Sequence, residues 1–443
     1  MRSSRDEPSR SGGGPDRSAS AVGTQVLDRI DAPPETTEPT RRSIAHPLAW
    51  TVVAILAIAL AVWFVAYWSV LHPPAVRPVG SPPPGSADIP TWFRGWAQWD
   101  GGWYQQISRE GYSYQVGVTS SVAYFPVYPM LIRFFSLAAP GASSPLVIGS
   151  LITLVSGTAA LSLVWVWCRS RFSAATATTA TLLLAVFPYA IYLYGPVYAD
   201  SLFLAGVLGA FVLLERDRVL AATLVCAVAS GVRPAGLIVA AALILRLVEI
   251  RRAERLRIDP RWSERSWLRR WSPSVLRPKD WIIVGSAGGF LAYCFYLASR
   301  FHDPFAFATT QASPGWDQPA GPHTWFKVAL FEELAREPLG PAALGLLLQA
   351  SIVLLVLVVA PFVGRRIGWA YAWLMVLLAA MVTLGSKDFQ GAGRYLLPAM
   401  VPVVALAAGW LTRHRIVRVV VLGAGFVVLC YFASWFAKGN YLA

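Results

Sequence analysis

Residues 48–71 read LAWTVVAILAIALAVWFVAYWSVL, a run of apolar side chains without a charged residue. Because a helix rises 1.5 Å per residue, about 20 such residues cross the hydrocarbon core of a bilayer. The sequence therefore predicts an all-α polytopic membrane protein. Other predominantly apolar runs occur at 145–168, 174–193, 197–214, 281–300, 341–363, 367–384, 395–412 and 416–437.

The composition also places most of the chain in a bilayer. Of 443 residues, 56% are hydrophobic and 14% are charged, which is too little charge for the surface of a soluble protein of this length. The formal net charge of +14 comes mostly from arginine in short blocks between the apolar runs, a pattern typical of cytoplasmic loops. No basic stripe with interleaved aromatic residues follows a soluble module, so nucleic acid is not an expected partner.

The arginine blocks predict the topology of a multi-pass protein of the cell membrane. Their placement requires the apolar stretch 219–249 to cross twice, as a hairpin that turns at Arg233-Pro234, and 125–138 to stay at the outer surface. About eleven transmembrane helices result, with the N-terminus in the cytoplasm and the C-terminus outside. The blocks expected in the cytoplasm are Arg41, Arg42, Arg169, Arg171, Arg216, Arg218, 251–279, Arg365, Arg366, Arg413, Arg415 and Arg418.

The same patterns divide the chain into regions. Residues 1–46 are rich in Ser, Gly, Pro, Arg and acidic residues, which predicts a disordered cytoplasmic tail. Residues 47–440 are expected to form one transmembrane domain, with 72–144 as its first extracytoplasmic loop. Residues 250–280 form a basic cytoplasmic loop that we expect to lie at the membrane interface, because its arginines alternate with tryptophans. These are Trp262, Trp267 and Trp271.

The first outer loop contains the most informative polar residue. Residues 96–112 read WAQWDGGWYQQISREGY and place Asp100 among aromatic side chains, before a helix expected to lie flat on the membrane. A carboxylate in this position can cap the N-terminus of the helix. It can also act as a general base, because apolar neighbours raise the pKa of a carboxylate. The pattern leaves both roles open.

Other polar residues lie at the predicted outer ends of helices. Asp200 opens a helix, where capping is the ordinary role of a carboxylate. Arg233 lies at a proline break in an apolar stretch, so it needs either a partner or an anionic ligand such as phosphate. Arg394 precedes a helix, where it either snorkels to the interface or neutralises a lipid phosphate, and Lys387 lies in the same outer segment.

The segment 301–316 reads FHDPFAFATTQASPGW. A proline-initiated helix with an aromatic face is its ordinary interpretation, and Gln311 and Trp316 are its candidate sugar contacts. The five histidines of the chain show no zinc-ligand spacing, and no phosphate-binding glycine loop occurs. A nucleotide-sugar donor is therefore not supported.

Taken in order over roughly residues 90–400, these segments resemble the phosphatidylinositol-glycan class V (PIG-V)-like mannosyltransferases. The Trp99-Asp100 pair carries the strongest part of the resemblance, and the loop after Phe301 the next. The matching segments are Trp99-Asp100 with Tyr104 and Gly111-Tyr112, FPVYP at 125–129, YADSLF at 198–203, SGVRPAG at 230–236, DPFAF at 303–307 with Gln311 and Trp316, and Arg394-Tyr395.

This resemblance implies a GT-C-type fold, with membrane-lying helices and an essential acidic residue in the first outer loop. The implied donor is a polyprenyl-phosphate-linked mannose, and we expect no metal or other cofactor, because a lipid phosphate is already a competent leaving group. Asp100 is the expected catalytic base. The expected substrate contacts are Trp99, Tyr104, Tyr128, Asp200, Gln311 and Trp316, and the expected lipid-phosphate contacts are Arg233, Lys387 and Arg394.

The expected reaction is a single inverting displacement on the extracytoplasmic side, in which Asp100 takes the proton of an acceptor hydroxyl. The expected partners are the lipid-linked donor, membrane lipids and a glycolipid, glycan or protein acceptor. Two alternatives remain open at this point. One is a lipid or anion transporter or flippase that uses Arg233 as its anion site, and the other is the same enzyme class with a different lipid-phosphate sugar.

Overall fold

The computed structural model describes residues 41–73, 89–138, 144–259, 273–338 and 340–442. The chain divides into two compact units, Met1–His46 and Pro47–Ala443. Of the first unit, the structure describes only the start of the helix at Arg41. Most of the predicted N-terminal tail therefore lies outside the described residues, as do Trp262, Trp267 and Trp271.

The described residues form helices joined by short loops, and no strand occurs among them. Five segments are 3₁₀-helical: Ser121–Ala123, Pro188–Leu193, Pro273–Val275, Pro278–Ala287 and Thr310–Ala312. The α-helices are α1 Arg41–Leu71, α2 Thr91–Arg94, α3 Gly101–Glu110, α4 Val127–Ala138, α5 Pro145–Arg169, α6 Ala174–Ala185, α7 Asp200–Leu214, α8 Val219–Ser230, α9 Gly236–Ile258, α10 Gly288–Phe301, α11 Ala306–Thr309, α12 Pro322–Trp325, α13 Val328–Arg336, α14 Pro341–Arg366, α15 Trp369–Gly385, α16 Ala392–Tyr395, α17 Leu397–Leu411 and α18 Arg415–Ala437.

Several helices are long and apolar enough to cross a membrane, which confirms the prediction of an all-α polytopic membrane protein. Five meet this criterion among the described residues: His46–Leu71, Pro145–Arg169, Pro278–Phe301, Pro341–Arg366 and Arg415–Ala437. Helices α4, α6, α7, α8, α15 and α17 are also apolar but shorter. The number of crossings and their direction stay predictions.

One predicted helix is interrupted. The apolar run at 174–193 forms α6 only as far as Ala185, and a 3₁₀ segment follows from Pro188 to Leu193. Proline has no backbone N–H to donate and disfavours the helical conformation of the residue before it. Phe187 is accordingly extended, with φ −61° and ψ 135°. The hydrophobic pattern alone did not reveal this break.

The predicted break in the stretch 219–249 is present. Helix α8 ends at Ser230 and α9 begins at Gly236, so Arg233 lies in the connection. A Cβ on Gly236 would lie 2.2 Å from the Cα of Ser230, which means that this close approach requires glycine. Helix α9 then runs to Ile258, beyond the predicted end of the apolar run, into the basic block.

Two polar regions lie at the opposite ends of helix α7. Asp200 is at one end and Glu215 at the other, roughly 22 Å away at 1.5 Å per residue. Two groups of ion pairs lie toward the Glu215 end. In one, Glu215 pairs with Arg171 and Arg246, and Arg246 also pairs with Glu249. In the other, buried Arg251 contacts Asp280 at 2.7 Å and also pairs with Asp217 and Glu254. These are the helix ends predicted to face the cytoplasm. The residues around Asp200 form a different site.

Candidate active site

Asp100 directly precedes α3, but its carboxylate does not cap that helix. Its Oδ2 accepts a hydrogen bond from Nη1 of Arg394 at 2.9 Å, and its Oδ1 accepts one from the hydroxyl of Tyr124 at 3.1 Å. The side chain is 17% exposed. Both carboxylate oxygens are thus oriented by partners outside α3, as a reactive group would need.

The backbone before Asp100 makes a tight turn. Trp99 has a φ of +50°, and the N–H groups of the next two glycines close successive turns onto Gln98 and Trp99. A left-handed conformation costs a non-glycine residue about 1–2 kcal/mol, and such strain tends to occur at functional sites. The turn is anchored by buried Trp96, whose carbonyl accepts the N–H of Val197 at 3.2 Å.

Arg394 is a buried cation enclosed by tyrosine rings. Its side chain is 5% exposed, and its guanidinium carbon lies 4.9 Å from the ring centre of Tyr198 and 4.8 Å from that of Tyr395. These ring faces and the Asp100 carboxylate offset the cost of burying the charge. Within the described residues, its Nε has no hydrogen-bond partner. That nitrogen is also buried.

Arg233 reaches the same tyrosine from the break between α8 and α9. It forms an ion pair with buried Asp200, and its guanidinium carbon lies 4.4 Å from the ring centre of Tyr395. Asp200 is therefore the partner that the sequence analysis required for Arg233, and it lies in the first turn of α7. Because Arg233 and Arg394 both contact Tyr395, the two cations converge where an anion would be stabilised.

A cavity of about 330 Å³ connects these groups. Six of the sequence-predicted site residues line it: Asp100, Tyr104, Arg233, Gln311, Trp316 and Arg394. They come from the first loop, the break after α8, the segment after α10 and α16. The structure thus brings together the predicted base, two of the predicted phosphate contacts and three of the predicted substrate contacts.

The other four predicted residues lie outside this lining. Trp99 packs edge-on against Tyr441, with ring centres 4.8 Å apart, and Asp200 pairs with Arg233. Tyr128 is buried, and its hydroxyl donates to the carbonyl of Gly149 at 2.9 Å. Lys387 contacts exposed Asp317 at 2.6 Å. Their substrate and phosphate contacts stay predictions.

The sequence analysis did not select several lining residues as site residues. Tyr395 stood in a quoted motif directly after Arg394, and Tyr124 directly precedes the quoted FPVYP segment, so their sequence positions could have suggested a role. Tyr441 follows the last predicted helix, and its sequence position gave no indication that it reaches Asp100. The cavity is also lined by Gln318 and Gln390.

An aromatic wall formed by Trp103, Tyr124 and Trp316 lies beside Asp100, and Tyr124 and Trp316 line the cavity. The Trp316 ring lies 6.1 Å from that of Trp103 and 6.1 Å from that of Tyr124. Such rings bury large apolar faces while their polar atoms keep hydrogen-bond partners. This arrangement suits a sugar, which presents both C–H faces and hydroxyl edges.

The tyrosines nearest Asp100 keep their protons. Burial raises the pKa of Tyr124 well above 10, and the adjacent Asp100 carboxylate raises it further. Burial also raises the pKa of Tyr104 well above 10, although Arg233 acts in the opposite direction. At neutral pH both side chains are therefore hydroxyl donors, which fixes Tyr124 as the donor in its bond with Asp100.

Part of the chain that contains this site matches a known protein family. Residues 61–257 match the mannosyltransferase (PIG-V) family model. The match confirms the predicted resemblance and supports the predicted class of enzyme, a glycosyltransferase. It includes Asp100, Asp200 and Arg233, whereas Arg394 lies beyond it. No curated protein sequence matches the chain significantly.

Two solved membrane proteins resemble the whole fold more distantly. The oligosaccharyltransferase of Archaeoglobus fulgidus, in complex with Zn and sulfate, is 14% identical with a TM-score of 0.47, over 88% of this chain and 53% of its own. This chain thus spans about half the length of that protein. ArnT from Cupriavidus metallidurans, bound to undecaprenyl phosphate, is 14% identical with a TM-score of 0.47, over 89% of this chain and 77% of its own.

Proposed function

We propose that this protein is an inverting, GT-C-type glycosyltransferase that transfers mannose from polyprenyl-phosphate-mannose to an extracytoplasmic acceptor. The observation that carries the proposal is the contact between Asp100 and Arg394 inside a cavity that Arg233 also lines. A carboxylate and two guanidiniums around one cavity are the groups that transfer from a phosphate-linked donor requires. The family match supports mannose as the sugar.

In the proposed reaction, the acceptor hydroxyl attacks the anomeric carbon of the mannose. A new carbon–oxygen bond forms there while the bond to the lipid phosphate breaks, and the phosphate leaves with the bonding electron pair. The hydroxyl proton passes to the Asp100 carboxylate. A positioned base of this kind typically contributes about 10²–10⁴ in rate.

Arg394 and Arg233 have a separate role, which is to stabilise the negative charge that develops on the departing phosphate. Arg394 lines the cavity while its Nη1 holds Asp100. It can therefore bind the phosphate and orient the base at once, because a guanidinium has five N–H donors. Arg233 is held by Asp200, so its guanidinium is already in place before the donor binds.

The test is transfer of radiolabelled mannose from polyprenyl-phosphate-mannose by purified protein reconstituted with a membrane lipid extract. We expect transfer by the wild type and a loss of about 10²–10⁴-fold in kcat for Asp100→Asn. Glu110→Gln is the control, because Glu110 is an exposed carboxylate at the far end of the same helix α3. Wild-type turnover by a folded Asp100→Asn protein would remove Asp100 from the mechanism.

The same reconstituted system separates the proposal from its alternatives. A flippase would move the lipid between leaflets without an acceptor and without release of polyprenyl phosphate. A different lipid-linked sugar, tested in competition with the mannose donor, would be preferred if the enzyme class is right but mannose is not the sugar.

A further inference from the structure

A cavity of about 390 Å³ lies between α1, α6 and α18, at helix ends predicted to face the cytoplasm. Among the described residues, it shares no lining residue with the cavity that contains Asp100. Arg418 lines it from the first turn of α18, whereas Tyr441, beyond the other end of the same helix, lines the Asp100 cavity. At 1.5 Å per residue, α18 extends roughly 28 Å from Arg418 to Ala437. This cavity is therefore a separate site.

The packing of α18 against α6 leaves this cavity near the start of both helices. The chain approaches closely farther along, where a Cβ on Gly425 would lie 2.9 Å from the side chain of Val186. Arg418 lines the cavity at the start of α18, and Leu182 and Leu422 line it nearer the close approach. From one end to the other, the lining thus changes from a cation to apolar side chains.

The polar end of the cavity is positively charged. Arg415 and Arg418 both lie in the first turn of α18, where the helix dipole already places partial positive charge. Neither α18 nor α6 has an acidic residue in its first turn, and neither arginine forms an ion pair with a described residue. Because cations at a helix N-terminus are repelled by the dipole, an anion bound here would stabilise this end of the protein.

The start of α6 adds hydrogen-bond donors to the same end of the cavity. The hydroxyl of Ser173 accepts the N–H of Thr176 at 3.2 Å, and its carbonyl accepts the N–H of Ala177 at 2.9 Å. The N–H groups between them belong to Ala174 and Ala175 and have no partner within the helix. Both residues line the cavity. Uncapped N–H groups at a helix start are suited to phosphate oxygens.

Two threonines of α6 line the cavity, and they differ in their partners. The hydroxyl of Thr178 lies 3.1 Å from that of Thr51 and accepts the indole N–H of Trp165 at 3.1 Å. Thr179 is 3% exposed, and its hydroxyl forms no hydrogen bond with a described residue. Along α6, Thr179 lies between the charged end and Leu182. A matching ligand therefore has an anion, then a hydrogen-bond acceptor, then an apolar part.

We propose that this cavity binds an anionic phospholipid of the adjacent leaflet. Its phosphate lies at Arg418 and the start of α6, an ester oxygen accepts the hydroxyl of Thr179, and an acyl chain contacts Leu182 and Leu422. The headgroup has to be anionic overall, because the cation of a zwitterionic headgroup would be repelled by Arg415 and Arg418. A lipid fits better than a free anion, because the inner end of the cavity is apolar and protein encloses little of α18. The assignment does not depend on the proposed function.

The test is lipid binding by the full chain in mixed micelles of an uncharged detergent. Dioleoyl phosphatidylglycerol is titrated in parallel with dioleoyl phosphatidylcholine while the melting temperature is followed, and native mass spectrometry counts the retained lipids. We expect phosphatidylglycerol to stabilise the wild type with an affinity at least tenfold above that of phosphatidylcholine. In Arg418→Gln this affinity should fall about tenfold and one retained lipid should be lost, as expected for one hydrogen bond to a charged group.

Two further variants sharpen the test. Arg365→Gln removes an exposed arginine from the last turn of α14, outside the cavity, and should bind like the wild type. Ala174→Pro removes one N–H donor at the first position of α6. Proline is tolerated there, and Ser173 already has the extended conformation that a residue before proline requires, with φ −63° and ψ 159°. The helix should therefore persist while the affinity for phosphatidylglycerol falls.

Equal affinity for the two phospholipids would overturn the assignment, and so would wild-type affinity in Arg418→Gln. If inorganic phosphate raises the melting temperature as much as phosphatidylglycerol does, the cavity binds a free anion and not a lipid. Tighter binding of polyprenyl phosphate than of phosphatidylglycerol would contradict a phospholipid as the occupant. All of these measurements are independent of mannose transfer, so their failure leaves the proposed function untouched.

Discussion

Arg394 Nη1 lies 2.9 Å from Asp100 Oδ2, although 294 positions separate the two residues in the sequence. The contact joins the segment after α2 to the segment before α17. It is therefore both a feature of the site and a long-range contact that stabilises the fold. Removal of the arginine leaves a mostly buried carboxylate without its cation. Removal of both charges avoids the cost of burying an unpaired carboxylate.

We therefore expect Arg394→Met to lower the free energy of unfolding by about 3 kcal/mol. The double variant Asp100→Asn/Arg394→Met should lose less than the sum of the single variants, with a coupling of about 1 kcal/mol or more. Chemical unfolding in detergent micelles measures all four proteins. The exposed pair Glu333 and Arg336 provides the control cycle, in which coupling should stay below about 0.5 kcal/mol. Additive effects at Asp100 and Arg394 would contradict the pairing.

Arg233 lies in the break between α8 and α9. At the end of this break, Gly236 packs closely against the backbone of Ser230. Gly236→Ala should destabilise the protein by about 1–3 kcal/mol, because the added Cβ collides with the Ser230 backbone. Transfer should fall as well, since Arg233 moves with the break. Gly409→Ala, in the interior of α17 with nothing within 4 Å of the new Cβ, should instead stabilise the protein by about 0.5–1 kcal/mol. Equal changes in melting temperature for the two variants would argue against this account.

Trp316 should affect binding of the sugar more than chemistry. In Trp316→Ala we expect KM for the donor to rise about tenfold, which corresponds to roughly 1.4 kcal/mol, with kcat nearly unchanged. Trp316→Phe keeps a ring in the wall and should retain most of the affinity. Steady-state kinetics on reconstituted protein separates the two constants. Trp325→Ala is the matched control, because Trp325 is half exposed and does not line the cavity that contains Asp100. A fall in kcat alone would exclude a role in binding the sugar.

Lys327 should make stability depend on pH. Its Nζ contacts the carbonyls of Thr324, Thr383 and Ser386, and burial lowers the pKa of the side chain from 10.5 to about 8, although nearby Asp388 acts in the opposite direction. Between about pH 8 and 10.5 the unfolded chain therefore binds more protons at this position than the folded chain does. The contribution of Lys327 to stability therefore rises with pH across that window.

Thermal melts of wild type and Lys327→Met at several pH values measure this effect. The difference in melting temperature between them should grow in favour of the wild type from pH 8 to 10. A constant difference over this range would show that Lys327 keeps an ordinary pKa.

The sequence predicted much of this fold because the bilayer imposes a simple pattern, in which long apolar runs become helices. It identified Asp100 and Arg233 for a related reason, since a charge beside or within an apolar stretch needs a partner. The interruption at Pro188 was missed because proline is common near the ends of membrane helices, and the hydropathy of 174–193 gives no sign of a break.

The ion pairs within the site could not be predicted from the sequence in the same way. Asp200 and Arg394 were each given an ordinary alternative, capping for one and snorkelling for the other. The structure instead pairs Asp200 with Arg233 and Arg394 with Asp100. Those pairings depend on how distant helices pack, and so does the approach of Tyr441 to Trp99. No local pattern in one sequence encodes contacts of this kind.

Helix α18 is the least enclosed of the helices long enough to span the membrane. Only 11% of its most apolar window is buried, compared with 56% for α5. A helix with so few protein neighbours can change its tilt to match the thickness of the surrounding bilayer. Tyr441 follows this helix, lies against Trp99 and lines the cavity that contains Asp100. We therefore expect the lipid composition of the host membrane to influence turnover, because a thinner or thicker bilayer would displace this ring.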